Sequence, residues 1–280
     1  YKMNPVPDPI YKIYRDQFAY DRSDLNARME WKNETARDWI QEKISFDAAY
    51  EKERVVAYLF LPKNSKPPYQ TVIYFPTSSA QINKSSNNLE SHFEFDMYLS
   101  VLVKNGRVVV YPIYKGTFER GDEILSNLDE NSHQYTELFI KMVKDLKRSI
   151  DYLETRSDID SGKLAYLGMS WGAKFGAIIP AVEGRLKVSV LNVGGLWNNG
   201  RPEIRPINYV SRVKIPTLML NGRYDMSFSY ELSVKPMFDL LGTPPAQKEL
   251  ILYPCDHIIP RTEFIKETLK NSLKVSESIV

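Results

Sequence analysis

Gly168-Met169-Ser170-Trp171-Gly172 decides how this chain is read. The pentapeptide lies between a short apolar segment, Lys163 to Leu167, and a helix-like stretch, Ala173 to Val182. In a strand–turn–helix setting, a Gly-x-Ser-x-Gly run puts the serine on a sharp turn and lifts its hydroxyl clear of the sheet. Glycines two positions to either side are required because strand and helix approach so closely there that side chains would collide. Five residues with three fixed positions can match by chance, so the weight rests on the flanking segments and on partner residues farther along the chain.

The flanking sequence supplies the matching frame. Ile44-Ser45-Phe46 and Arg54 to Leu61 read as an antiparallel pair, followed by a proline-rich turn from Pro62 to Tyr69. Strand-like and helical segments then alternate. Thr71–Phe75, Arg107–Tyr111, Lys163–Leu167, Leu186–Val193, Thr217–Leu220 and Glu249–Tyr253 have the length and apolar content of buried strands. Helical patterns occupy Glu94–Lys104, the run from Tyr135 through Leu138, Phe139, Met142, Val143, Leu146 and Ile150 to Leu153, Tyr230–Leu241 and Thr262–Leu273. Such alternation predicts an α/β fold: a mostly parallel twisted sheet, helices on both faces and an antiparallel start. Residues 1–42 are expected to form an N-terminal extension packing on the core. Pro5, Pro7 and Pro9 favour an extended beginning, and Asp24 to Trp39 an amphipathic helix or two short ones. Residues 43–280 are expected to form the main domain, with a short lid at 196–210.

Composition removes several function classes. The 280 residues carry a formal charge of only +2, with no basic stripe for nucleic acid. No segment approaches the roughly 20 apolar residues of a membrane span. A single cysteine, Cys255, excludes an internal disulfide and any cysteine-rich zinc module, and fits a reducing compartment such as the cytoplasm. No zinc-binding His/Glu spacing, phosphate loop or dinucleotide fingerprint occurs, so no metal and no cofactor is expected. The first residue is Tyr1 and no leader pattern comes after it, which suggests a processed product or part of something longer.

A serine hydroxyl needs a base within hydrogen-bond reach to act as a nucleophile. The chain has three histidines. His257 falls in a loop after the last strand and before the last helix, where sites in such sheets form; it is the expected base, against a role as a loop residue capping that helix. His92 and His133 are expected on the surface. The acid should come after a strand between serine and histidine, and Asp225, after Thr217–Leu220 and a turn, fits. Its alternative role is an N-cap for the helix near Tyr230. Asp256 adjoins His257 and Glu231 lies on the helix; both are weaker choices. Developing negative charge needs two main-chain N–H groups. Trp171 is expected to give one and Ser78 the other, with Thr77 the competing choice. Trp171 and Trp197 are candidates for a pocket wall or for plain core, and Thr77 for a substrate contact. Arg120, Arg201 and Arg205 could meet a substrate carboxylate, though solvated surface is the commoner place for arginine. Asn33-Glu34-Thr35 and Asn83-Lys84-Ser85 match glycosylation sequons, which carry weight only in a secreted chain.

These residues resemble the α/β-hydrolase superfamily, in particular the dienelactone-hydrolase, acetyl-xylan-esterase and prolyl-oligopeptidase catalytic domains. Arg148-Ser149-Ile150-Asp151-Tyr152-Leu153-Glu154-Thr155-Arg156, then Asp158-Ile159-Asp160 and the elbow, carry that likeness. A closer resemblance is to hydrolase domains fused behind bacterial serine/threonine protein kinases. It runs through Phe18-Ala19-Tyr20-Asp21, Ser45-Phe46-Asp47-Ala48-Ala49-Tyr50, Ala57-Tyr58-Leu59-Phe60-Leu61-Pro62, Tyr111-Pro112-Ile113-Tyr114-Lys115-Gly116-Thr117 and Asn221-Gly222-Arg223-Tyr224-Asp225. The resemblance implies an α/β-hydrolase fold, a Ser170–Asp225–His257 triad and a possible kinase before Tyr1. The chain departs from those relatives at Thr77, where they usually have glycine, and at Cys255-Asp256, where they have Ser-Gly before the histidine. The resulting expectation is a serine hydrolase cleaving small to medium acyl esters, a small-molecule substrate, without cofactor. A prolyl-oligopeptidase-like peptidase and a non-catalytic regulatory module are the competing readings.

Overall fold

The computed structural model describes residues 4–277, with side chains through residue 270. Tyr1, before which a kinase is expected, lies outside the described residues. Nine strands form one sheet among the described residues: β1 (Arg28–Asn33), β2 (Trp39–Asp47), β3 (Arg54–Pro62), β4 (Tyr69–Phe75), β5 (Val108–Ile113), β6 (Ile159–Met169), β7 (Leu186–Asn192), β8 (Thr217–Gly222) and β9 (Lys248–Tyr253). Their order across the sheet is β1-β2-β3-β5-β4-β6-β7-β8-β9. The pairs β1/β2, β2/β3 and β3/β5 are antiparallel, and every pair from β5/β4 to β8/β9 is parallel.

Strand periodicity sorts the core into two layers. In β4, Ile73 and Phe75 join one buried cluster while Val72 and Tyr74 join the other; in β5, Val108 and Val110 oppose Val109 and Tyr111. The long helix His133–Glu154 covers the first layer with Leu138, Phe139, Met142, Val143, Leu146, Ile150 and Leu153, three and four apart as its stripe requires. Each such side chain contributes about 1.5–3 kcal/mol on full burial. Ser132 caps this helix by accepting from Tyr135 N at 3.0 Å. The second layer is covered by Phe95–Lys104, a π turn leading into a short helix, and by the final helix Arg261–Glu277. No helix among the described residues is long and apolar enough to cross a membrane.

The N-terminal region departs from expectation twice. Helix Asp8–Asp16 replaces the extended start: Pro7 is its N-cap and Pro9 sits in the first turn, where a missing N–H costs nothing. Arg28–Asn33 is an edge strand, not part of a helix over Asp24–Trp39. Main-chain pairing with β2 and the edge contact of Trp31 on Tyr58, 6.0 Å between centroids, outweigh local propensity. All six of its residues are exposed, so no period-two pattern betrays it. β2 runs unbroken through Lys43, the position at which the sequence suggests a domain start. Arg148, wholly buried, donates to the carbonyls of Ser23, Asp24 and Asp47 and to Asp151, tying this region to the long helix.

The region 196–210 folds into short 3-10 turns, with Leu196, Ile204, Ile207, Tyr209 and Val210 buried in the first layer. The helix after the elbow, expected from Ala173 to Val182, is two pieces, Trp171–Phe175 and Ile179–Val182. Between them Gly176 passes so near β7 that a Cβ would lie 2.1 Å from Leu191 Cδ2.

Candidate active site

Ser170 stands at the carboxyl end of β6 with φ +49° and ψ −102°, a strained conformation for a residue with a Cβ. The surroundings enforce it. Ser170 N donates to Asn192 O at 2.9 Å, and Gly172 N to Pro76 O at 3.0 Å, which fastens the turn to the ends of β7 and β4. A Cβ on Gly168 would lie 2.6 Å from Gly172 C, and one on Gly172 2.3 Å from Phe75 O. Both glycines are therefore required by main-chain contact.

The loops after β8 and β9 are fastened in the same way. Arg223 N donates to Tyr253 O at 2.7 Å and Tyr224 N to Cys255 O at 3.0 Å. Gly222 permits the crossing, since a Cβ there would lie 2.0 Å from Asp256 O. This brings Asp225 Oδ2 to 2.8 Å from His257 Nδ1, and His257 Nε2 to 2.8 Å from Ser170 Oγ. Asp225 Oδ1 is held separately by the amides of Ser227 (2.8 Å) and Phe228 (2.9 Å), which leaves Oδ2 for the imidazole. With the Nδ1 proton directed at that carboxylate, Nε2 presents its lone pair to the serine. The Phe228 ring stacks on His257 at 6.0 Å and closes one face of it.

The alternatives fall elsewhere. Asp256 Oδ1 accepts from Met226 N and His257 N and so braces the loop. Glu231 pairs with Arg223 at the surface. Ser229 is the N-cap residue of the turn Tyr230–Val234, so Asp225 does not fill that role. His133 is exposed beside Glu137, and His92 stacks on Phe118. Arg120 is not solvated surface: its side chain is only 9% exposed, paired with Asp145 at 2.6 Å and bonded to Tyr50. Arg201 pairs with Glu203, and Arg205 donates to Gly200 O. Among the described residues no cluster of His, Cys, Asp and Glu could hold a metal ion.

Trp171 is the first residue of the elbow helix, so its amide has no intrahelical acceptor. Its indole is core, edge-on to Phe75 and Phe175. Trp197 is 39% exposed and edge-on to Phe228 at 6.0 Å. Across the elbow, the Thr77 amide donates to Glu94 Oε1 at 3.3 Å, whereas the Ser78 amide makes no hydrogen bond among the described residues. The sequence marks Glu94 only as the start of a helix. It is buried beneath this loop and also accepts from Tyr74 (2.7 Å), Ser79 Oγ (3.0 Å) and the Thr77 hydroxyl. Burial, with the Glu94 charge beside it, drives the Tyr74 pKa well up. The one signal for this arrangement in the sequence is Thr77 itself, a hydroxyl at a position where the resemblance leads one to expect glycine.

Residues 56–258, most of the chain, match the model of the dienelactone hydrolase family. The chain belongs to that family. This member of the dienelactone hydrolase family is a hydrolase, and its sheet order and elbow are those of the α/β-hydrolase fold. Its structure is similar to acetyl xylan esterase 1 from Thermoanaerobacterium sp. JW/SL YS485, with TM-score 0.70 and 16% identity over 98% of this chain and 95% of that one. It is similar also to an acetyl xylan esterase from Paenibacillus sp. R4, with TM-score 0.69 and 15% identity over 98% and 96% of the two chains. A cold-adapted esterase from an Arctic intertidal metagenomic library matches with TM-score 0.66 and 18% identity over 87% and 97%. At these identities the likeness establishes fold. No curated protein sequence matches this family member.

Proposed function

We propose that the protein is a serine esterase that cleaves carboxylic esters of small to medium acyl groups through an acyl-enzyme. The observation that carries this is the unbroken hydrogen-bond chain Ser170 Oγ–His257–Asp225, with both links at 2.8 Å. Ser170 Oγ attacks the ester carbonyl while His257 Nε2 takes its proton, and Asp225 holds the ring and the charge it acquires. The amides of Trp171 and Ser78 receive the oxyanion; Ser78 is preferred to Thr77 because the Thr77 amide is engaged by Glu94. Collapse of the tetrahedral adduct breaks the C–O bond to the alcohol, which leaves with the proton from His257. Water, deprotonated by the same imidazole, then releases the acid and restores Ser170.

The mouth of the site suits esters with apolar parts. Ile82, Phe93, Ile124, Trp197, Tyr224, Met226, Leu232 and Ile258 are exposed large apolar residues, and all lie in the connections, loops and short helical turns alike, that follow β4, β5, β7, β8 and β9. Trp197 lines the acyl side and Thr77 borders the oxyanion loop. The test is a series of p-nitrophenyl esters of graded chain length, with Ser170→Ala as control and fluorophosphonate labelling alongside. The expected result is turnover favouring short chains, lost with labelling in Ser170→Ala. Turnover that survives Ser170→Ala refutes the reading.

A further inference from the structure

Glu130 lies between two side chains, Lys174 from the elbow helix and Trp197 from the segment after β7. Its Oε1 accepts from Lys174 Nζ at 2.6 Å, and its Oε2 from Trp197 Nε1 at 3.0 Å. Lys174 is one helical turn beyond the serine, its own amide bonded to Ser170 O at 2.9 Å. Its side chain is buried, and its ammonium lies 5.5 Å from the ring centroids of both Trp197 and Phe175. Burial lowers the Lys174 pKa, and the Glu130 charge opposes that shift. On its other side Trp197 meets Phe228, the residue stacked on His257.

Trp197 itself stands in a stretch without regular structure, so nothing in the local backbone sets the direction of its indole. Three contacts do: the Phe228 ring, the Lys174 ammonium over the indole and the Glu130 carboxylate. The Phe228 contact is apolar and leaves the indole free to slide. The Glu130 bond is directional, and the buried Lys174 ammonium fixes the carboxylate that makes it.

We propose that Glu130, backed by Lys174, is a positioning residue that holds Trp197 as the wall closing the acyl pocket, and so sets the preference for short acyl chains. This rests on the esterase reading of the triad. Releasing the wall should let added methylenes be buried, each favouring the longer ester roughly fourfold.

The experiment compares kcat/KM for p-nitrophenyl hexanoate and acetate; the ratio of the two cancels any loss of folded enzyme. Trp197→Ala is expected to raise the hexanoate-to-acetate ratio roughly fifteenfold, the burial of about two methylenes. Glu130→Ala alone strands the buried Lys174 ammonium, so the pin is removed as Glu130→Ala/Lys174→Met. That double replacement is expected to move the ratio in the same direction, and to move it no further in the Trp197→Ala background. Glu130→Gln/Lys174→Met keeps an acceptor for the indole with no second donor competing for it, and should keep the wild-type ratio. An unchanged ratio in Trp197→Ala, an effect of Glu130→Ala/Lys174→Met that persists without Trp197, or a Glu130→Gln/Lys174→Met ratio equal to that of Glu130→Ala/Lys174→Met overturns the proposal. Ser170-dependent turnover with an unchanged ratio overturns this proposal alone, whereas turnover surviving Ser170→Ala overturns the esterase reading and this proposal with it.

Discussion

Replacing Gly172 by alanine sets helix propensity against the close approach of strand and helix at the elbow. In an exposed helix alanine is better than glycine by about 1 kcal/mol. At position 172 the added Cβ would lie 2.3 Å from Phe75 O, 2.8 Å from Phe75 C and 2.9 Å from Phe75 Cβ. The two nearest atoms are main chain at the end of β4, so no rotamer change relieves the overlap. An ordinary contact, about 3.5 Å, requires a separation of roughly 1 Å. That movement stretches the 3.0 Å Gly172–Pro76 hydrogen bond, worth about 1 kcal/mol. Overpacking adds about 1–3 kcal/mol. After the gain in propensity the net loss is about 1–3 kcal/mol, which lowers Tm by roughly 2–5 °C in a chain of this size. Activity should suffer more than stability, because Pro76 leads directly into the loop proposed to hold the oxyanion, and a misplacement of about 1 Å costs around a hundredfold. Thermal melts and steady-state hydrolysis of p-nitrophenyl acetate are the assays. Gly184→Ala is the control, since a Cβ there meets nothing within 4 Å. If Gly172→Ala melts and turns over like Gly184→Ala, steric exclusion at the elbow is not what requires glycine.

The site's hydrogen bonds and charges lead to three further outcomes. Asp225→Asn should keep the geometry but lose the tautomer that faces Ser170, lowering kcat by about 10⁴ with little change in KM; a loss under tenfold in stopped-flow hydrolysis rules out Asp225 as the orienting acid. Glu94→Gln removes the charge that gathers Thr77 and Ser79, and should lower kcat by about 10–100-fold, short of the full loss of an oxyanion donor, while KM holds; a wild-type kcat assigns Glu94 a purely structural role. Burial, then the charges of Asp225 and Asp256, raise the Cys255 pKa above its usual 9.0, so less thiolate exists at any given pH. Alkylation by iodoacetamide should be slow at neutral pH and accelerate as pH climbs past that of an ordinary thiol, and fast labelling at neutral pH would contradict the assigned direction.

How far the sequence reveals these features depends on the range of the interactions that produce them. The elbow is legible because its motif is contiguous: Gly168 clears Gly172 within five residues, although what Gly172 itself clears is Phe75, on another strand. His257 and Asp225 are legible from chain order and from the scarcity of histidine. The antiparallel start and parallel remainder are legible from strand composition. Hidden features rest on distant partners. The amide of Thr77 is taken by a carboxylate 17 positions on, and no local pattern distinguishes it from Ser78. Arg120 reads as surface, and is largely buried because Asp145 and Tyr50, 25 and 70 positions away, supply its acceptors. β1 escapes because an edge strand exposed on both faces has no hydrophobic period, and helix Asp8–Asp16 because three prolines mask a start that suits two of them.

The site also divides its work between main chain and side chain. Ser170 is placed by Asn192 O and by the glycines around it, and the acid and base loops are laced through Arg223 N, Tyr224 N and the amides that Asp225 and Asp256 accept. The contacts of Ser170 N, Arg223 N and Tyr224 N run main chain to main chain and are indifferent to side-chain identity, whereas the other four need the carboxylates of Asp225 and Asp256. Two further groups are held by side-chain carboxylates: Thr77 by Glu94, and Trp197, with Lys174, by Glu130. On the proposed reading, substitutions at Trp197 shift substrate preference while the proposed chemistry at Ser170 stays intact. Exchanges at Trp197 should therefore alter the ranking of esters with little effect on the fluorophosphonate labelling rate of Ser170, whereas exchanges at Gly168 or Gly172 should slow labelling and leave the ranking in place.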